Sequence, residues 1–545
     1  MLSPSSAKSC LTTATVFVNG ATSVAITTIG RDLSFEESDL QWPLNVFSLS
    51  FGCLLLFFGR VSDIIGNRKI FLFGSAWFAI WSLAASFAQS SESLIVFYAL
   101  QVQMLTRSRT AANMPAGISI ISAYFPPGRS KNVAFAVLGA GQPLGFIVGM
   151  IVGGLLCQSQ GSWRSVFWLQ SGLAGMFVIL GFFVLPKGDP SKKYTKGLDW
   201  IGALLSTAGL GLLTYDLAES TSTPRGRMTP FVPCLLATSI VIMVLFVFWE
   251  IRCEGRGQAV LVPMSIWSQP GAKMGPIIAC IIFAWWAFNT LSYFSALFYQ
   301  QVLLLSPIQT VLRLLPIGIS GLITDLLTGY LVGAFPGRIL IPFGIMSCII
   351  SSTIFALINV HASYWSMAFI AMITLPVLEV AYTVANMHVC FAFDVDSQAL
   401  AGGIFSVATR LGTSLGLAIS SSIATTISEN YNRAHPELAA TDPSVLLGGF
   451  RAAGWTCCGA ATIALLIALF GLRDIGVVGQ RTHSSMVENT GGQDLLKSNS
   501  AHQSEPSVTL ESTSGSSVIL KNAPESEGPE KHLWQAALDR IVEVS

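Results

Sequence analysis

The chain has 545 residues, of which 52% are hydrophobic and only 11% charged, and its mean hydropathy is +0.63. Soluble domains carry about 25% charged residues, so a soluble globular enzyme and a disordered chain are both excluded over most of the length. The 30 basic and 29 acidic residues leave a net charge of +1, which provides no electrostatic footprint for nucleic acid.

Apolar runs of spanning length, about 20 residues each, begin near the start and recur to Leu472. In chain order they are Leu11–Ile29, Trp42–Phe58, Ile70–Phe87, Leu94–Tyr124, Val133–Leu156 and Val166–Leu185. After a polar break come Trp200–Tyr215, the shortest, and Pro230–Ile251. The last group is Gly275–Leu297, Pro307–Val332, Ile339–Ile358, Tyr364–Met387, Ala399–Ile427 and Leu447–Leu472. That makes about fourteen spans on a length criterion. Open sheets cannot cross lipid and the alternation of a barrel is absent, so the spans are read as helices. The chain is expected to be an all-α polytopic membrane protein. Its ten cysteines show no zinc or redox spacing and read as reduced, small apolar residues.

Lys and Arg accumulate in cytoplasmic loops. With the N-terminus inside, those loops hold Arg60, Arg68, Lys69, Arg129, Lys131, Lys187, Lys192, Lys193, Lys196, Arg252, Arg256 and Lys273. The opposite loops hold Arg31, Arg164, Arg225, Arg227 and Arg433, and the first of them is acidic. Both termini are therefore expected in the cytoplasm. The first run lacks a cleavage site after a basic flank, so it is expected to stay as an uncleaved anchor. It carries Asn19 and no carboxylate.

The turn after the second run reads Gly59-Arg60-Val61-Ser62-Asp63-Ile64-Ile65-Gly66-Asn67-Arg68-Lys69. Its glycines permit tight turning, and Asp63 can accept from a helix N-terminus or pair with an arginine, latching two helices. The plainer alternative, an ordinary basic inside loop, explains the bases but not the Gly and Asp spacing. A degenerate copy follows the tenth run, where Gly329 and Arg338 keep the offset of Gly59 and Arg68 and the acid has become Gly333. The fifth run carries Gly141, Pro143, Gly145, Gly149, Gly153 and Gly154. A glycine every fourth residue forms a stripe on which another backbone can approach closely in lipid, and Pro143 can bend the helix.

These residues resemble the major facilitator superfamily. Gly59, Asp63, Gly66, Arg68 and Lys69 match its loop between helices two and three, with Ile64 and Asn67 where bases are usual. The glycine-proline helix resembles the antiporter motif of proton-driven exporters in that family, with Gln142 in place of a glycine. Further stretches are similar to its fourteen-helix drug:proton antiporter branch of fungal type: Ser38–Asn45, Ser162–Trp168, Leu198–Ala203 and Tyr299–Val302 with Arg313 and Pro316. The resemblance implies two six-helix bundles plus two additional central helices. The expected organisation is a cytoplasmic N-terminus at 1–10, a first bundle at 11–185 and a linker with the additional pair at 186–274. A second bundle at 275–472 and a disordered cytoplasmic tail at 473–545 complete it. Within the tail, Leu533, Trp534, Ala537, Leu538, Ile541 and Val542 have helical apolar spacing.

The fourth run departs from the family. Tyr98 stands where a cavity base is usual, and Val102–Thr110 brings in Arg107 and Arg109. Two readings remain open: an arginine there replaces the missing base, or the stretch is an insertion that impairs the fold.

Ionisable residues inside spans are functional candidates by default. Asp325 in the tenth run and Glu379, after Pro376 in the twelfth, are the proton-coupling candidates. Burial disfavours the charged form of a carboxyl, which suits a group that must load and release a proton; the alternative is a satisfied polar contact between helices. Arg410 either pairs with one of these acids or serves structure, and Arg313 and Arg451 are expected to snorkel from helix ends. The aromatic ninth run contributes the substrate-cavity candidates Trp285, Asn289 and Tyr293, joined by Gln300; lipid contact is their alternative.

No cofactor or metal is expected, His361 and His388 lacking companions at metal spacing, and no phosphate loop is present to use ATP. The expected partners are a small-molecule substrate, protons and the lipid bilayer, with the chain a monomer. The leading expectation is a proton-coupled exporter of small hydrophobic compounds in the plasma membrane or the vacuolar membrane. The alternatives are an uptake transporter for a siderophore, amino acid or sugar, and a non-transporting sensor or scaffold.

Overall fold

The computed structural model describes residues 17, 20–22, 24–26, 28–35, 67–105, 129–158, 162–184, 199–222, 231–258, 260–268, 273–360, 362–393, 395–439, 441–473 and 475–476. The second apolar run, the turn from Gly59 to Gly66, Arg107, Arg109 and the tail beyond Gly476 lie outside the described residues.

Among the described residues, the long apolar runs fold as helices. Within residues 17–32 lies α1. It is followed by α2 (Asn67–Ser86), α3 (Ser91–Leu105), α4 (Arg129–Cys157) and α5 (Arg164–Val184). The central pair is α6 (Trp200–Ser222) and α7 (Phe231–Gly255). The rest is α8 (Met274–Leu297), α9 (Pro307–Ala334), α10 (Gly337–Ala356), α11 (Ala368–Thr374), α12 (Leu378–Phe391), α13 (Val395–Ala434) and α14 (Pro443–Gly471). Among the described residues, eight helical spans are long and apolar enough to cross a bilayer. Their outer faces carry large apolar side chains, such as Phe183 at 79% and Leu204 at 71% exposure, whereas Gln101 and Gln170 are buried. That inversion suits a hydrocarbon solvent and would be an aggregation hazard in water.

Three elements differ from the spans read in the sequence. Helix α6 continues past Tyr215 to Ser222, and α13 covers 40 residues. The twelfth run is broken: α11 ends at Thr374, a 3-10 turn covers Leu375–Val377, and α12 begins at Leu378. Pro376 accounts for the break, because it has no N–H to donate into the α-helical ladder.

Helix starts are set locally. At α9, the Ser306 hydroxyl accepts from the Gln309 backbone N–H while Gln309 Oε1 accepts from the Ser306 N–H, with Pro307 at the first helical position. Asp199 accepts from the Gly202 N–H at the head of α6 and from the Trp249 indole of α7, at 3.0 Å to Oδ2. Glu250 accepts backbone N–H bonds from Leu261 and Val262, and Glu254 from Met264 and Ser265. Two carboxylates of α7 thus grip the segment that leads into α8.

Close helix approach depends on glycine. In the N-terminal half, Gly149 of α4 sits against the Phe17 carbonyl of α1, and a methyl on Gly153 would fall 2.7 Å from Ala21 Cα. In the C-terminal half, Gly412 of α13 sits against the Ile282 carbonyl of α8, and a methyl on Gly416 would fall 2.5 Å from Trp286. Each half therefore packs a pair of glycines four residues apart onto a helix near its start, in parallel register.

The halves meet along α4 and α9. Gly154 faces Val311 and Ile308, Gly318 faces Ile147, and Gly321 faces Pro143. The residue numbers fall on one helix as they rise on the other, so the two are antiparallel.

Candidate functional site

The break between α11 and α12 puts Glu379 in the first turn of α12, at a depth where irregular backbone is tolerated only inside protein or beside a cavity. One turn on, Tyr382 lies on the same side of the helix. Its ring stacks on Trp285 of α8 with centroids 4.4 Å apart and lies 5.2 Å from Phe405 of α13. Glu379, Arg410 and Asp325 all act electrostatically on Tyr382, and the Asp325 carboxyl acts on Glu379. Asp325, on α9, is 7% exposed. Glu379 and Arg410 are half-buried.

Four helices therefore bring two acids, one base and one phenol around an aromatic wall. The charges are unequal. With both acids ionised the cluster carries one negative charge, and with one proton bound it is neutral. A low-dielectric interior favours the neutral sum.

The structure divides the substrate-cavity candidates. Trp285 is in the cluster, and Asn289 is tied to it by donating to the Trp285 carbonyl at 3.2 Å. Tyr293 packs edge-on to Phe294, which continues to Phe450 of α14. Gln300 is buried in a π turn covering Phe298–Val302, beyond the end of α8. Trp286, the neighbour of Trp285, donates to Ser420 of α13 at 3.1 Å and is a packing residue. No described side chain of α8 from Met274 to Leu297 is fully exposed apart from the open face at Gly275, so the aromatic surface is turned mainly toward protein rather than lipid.

The glycine-proline helix is where the halves touch. Gly149 and Gly153 serve α1, whereas Pro143 and Gly154 serve α9. Gly141 is half-buried and Gly145 buried. Gly321 lies between Pro143 and Pro376, with a methyl there 3.4 and 3.6 Å from their Cβ atoms. It is one turn from Asp325. The latch residues Gly59, Asp63 and Gly66 lie outside the described residues, while Arg68 and Lys69 fall in the first turn of α2.

In the N-terminal half, Tyr98 occupies the place of the missing base. It is buried, and its hydroxyl lies 3.2 Å from the Thr22 hydroxyl of α1. Nearby, Gln101 donates to Gln170 of α5 at 2.9 Å. Arg451 is held at a helix end. It donates twice to the Ile358 carbonyl just past α10, at 3.1 and 2.7 Å.

Tyr382 and Phe405 were not singled out by sequence reasoning. The available signal was the spacing of Glu379 and Tyr382, three residues apart on one helix face.

Comparisons with known proteins agree with this architecture. A family model described as Major Facilitator Superfamily matches residues 9–417. The chain is 29% identical to MFS-type transporter 1 of Pyricularia oryzae, covering 87% of this chain and 85% of that protein. It is 25% identical to the low affinity ammonium transporter of Saccharomyces cerevisiae (72% and 75% covered) and 26% identical to the efflux pump terJ of Aspergillus terreus (79% and 80%). Among solved structures, it resembles the inward-facing, occupied form of a bacterial homologue of the human lysosomal transporter Spinster. That likeness has a TM-score of 0.59 at 15% identity, over 87% of this chain and 97% of that one.

Proposed function

The chain belongs to the major facilitator superfamily and is a multi-pass membrane transporter, and from that premise we propose that it exports small, largely hydrophobic compounds in exchange for protons. The observation that carries the reading is the cluster of Asp325, Glu379 and Arg410 around Tyr382. Its surplus acid gives one proton a place to bind. The aromatic wall of Trp285, Tyr382 and Phe405 gives a flat apolar molecule a surface beside that proton, in keeping with ligand sites that are mainly apolar with few polar anchors. Rocking of the two halves about the α4–α9 seam would expose the cluster to each side in turn. Pro143 and Pro376 converge on Gly321, so a change at the seam is passed directly to the helix that carries Asp325. The relative named an efflux pump supports the direction of transport. We place both termini in the cytoplasm from the distribution of Lys and Arg, in the plasma membrane or the vacuolar membrane, with the chain acting as a monomer.

A second reading, proton-driven uptake of a small solute, draws on the relative named an ammonium transporter. Sealed vesicles containing the purified chain separate the two. With the lumen made acidic by a pH jump, and the cytoplasmic face outward, an exporter accumulates a panel of apolar dyes inside and an uptake carrier does not. Glu379→Gln is expected to abolish gradient-driven accumulation with expression intact. Unchanged pH-dependent flux in that variant would overturn the role given to Glu379.

A further inference from the structure

A cavity lies at one end of the C-terminal half, and neither Asp325 nor Glu379 lines it. It is about 340 Å³ in volume and is bounded by the π turn, the start of α9, the loop after α10 and the start of α11. That volume lies within the range of about 300–1,000 Å³ typical of small-molecule pockets. Its polar lining is Arg313, Tyr299, Asn359, Ser363 and Tyr364, and no carboxylate lines it among the described residues.

Arg313 is held in place there. Its carbonyl accepts from the Tyr364 hydroxyl at 2.8 Å, and its guanidinium stands 5.3 Å from the centre of the Tyr364 ring. Among the described residues it has no acid partner. Tyr299 is 1% exposed yet lines the cavity, and its hydroxyl has no hydrogen-bond partner among the described residues. It lies within electrostatic reach of Arg313 and Tyr364. A half-buried guanidinium with no counter-charge, beside a phenol with a proton to donate, is complementary to a carboxylate, which can accept two parallel N–H bonds from arginine. Phe298 supplies an apolar wall beside these donors.

We propose that this cavity binds a small organic anion, a carboxylate on an aromatic or aliphatic body. Arg313 takes the charge, Tyr299 donates to it, and the apolar side receives the body. Under the orientation given above the site opens at the non-cytoplasmic end. It is distinct from the proton cluster, and its occupancy does not require transport.

Equilibrium dialysis of the full chain in phosphatidylcholine nanodiscs tests this, with labelled 1-naphthoate and its neutral analogue 1-naphthamide as probes. A hydrogen-bonded charge contributes about tenfold or more, so naphthoate should bind at least about tenfold tighter than the amide. Arg313→Gln should reduce naphthoate to the level of the amide, and Arg313→Lys should restore part of the difference. Ser363→Glu, at an exposed loop position, places a carboxylate near the guanidinium and should also abolish the preference. It serves as the deciding variant if Arg313→Gln does not yield monodisperse protein. Equal binding of acid and amide by the unaltered chain would overturn the proposal, as would an undiminished preference in Arg313→Gln or Ser363→Glu.

Discussion

In the N-terminal half, Tyr98 of α3 reaches α1 and meets the Thr22 hydroxyl. In the C-terminal half, Tyr382 of α12 reaches α8 and stacks on Trp285. Both halves also seat two glycines, four residues apart, on the same parallel helix pair. The scaffolds correspond, but the chemistry around the two tyrosines does not. The described interior near Tyr98 is neutral, with Gln101 bonded to Gln170. That near Tyr382 holds Asp325, Glu379 and Arg410. Among the described residues, a backbone arrangement used twice carries this cluster of charge on one side only. The lesson is that packing and charge are separable: glycines decide where helices touch, and a few ionisable side chains decide where charge is placed.

That comparison can be broken in four ways, in descending order of effect. Gly153→Leu and Gly416→Leu should each abolish recovery of monodisperse protein on size-exclusion chromatography, because overpacking at backbone contact costs about 1–3 kcal/mol or more. If only one fails, the two glycine pairs are not equivalent. Asp325→Asn and Glu379→Gln should each lower gradient-driven flux at least tenfold, on the order of 1.4 kcal/mol or more, while Gln101→Leu leaves the pH dependence of flux in place. A lost pH dependence in Gln101→Leu would move coupling into the N-terminal half. Tyr98→Phe should cost roughly 1 kcal/mol of stability through the unpaired Thr22 hydroxyl without altering the pH profile, whereas Tyr382→Phe should shift the profile. Thermal melts and flux assays at several pH values distinguish them.

The smallest effect is at Asp442, outside the spans at the head of α14. Its carboxylate accepts from the Ser444 hydroxyl and N–H, which hold its pKa below the ordinary value of 3.8. A depressed folded-state pKa contributes stability above the unfolded value and loses it as pH falls through the folded one. Asp442→Ala should therefore melt slightly lower at neutral pH, and its gap from the unaltered chain should close in acid, below pH 3.8.

Much of this was visible in the residues. Apolar runs marked the spans because burying peptide groups in lipid leaves helices as the available form. Intramembrane acids stood out at Asp325 and Glu379 because such charges are costly unless used. The glycines of α4 announced a close approach but not its partners. Gly149 and Gly154 serve different helices, and nothing local says which. The choice between Trp285 and Trp286 was equally hidden, since one stacks on Tyr382 and the other bonds Ser420, about a hundred residues away or more. Long-range pairings leave no local pattern. The acceptor of Arg451, a backbone carbonyl at Ile358, was hidden for the same reason.

The grip of Glu250 and Glu254 on the segment before α8 has a mechanical side. Both carboxylates hold peptide N–H groups, which every residue except proline supplies, so the fastening survives most changes of side chain in that segment. Asp199 joins α6 to the same end of α7. The central pair is thus harnessed to the C-terminal half by its own backbone. If the halves rock, the pair travels with Glu379 as ballast.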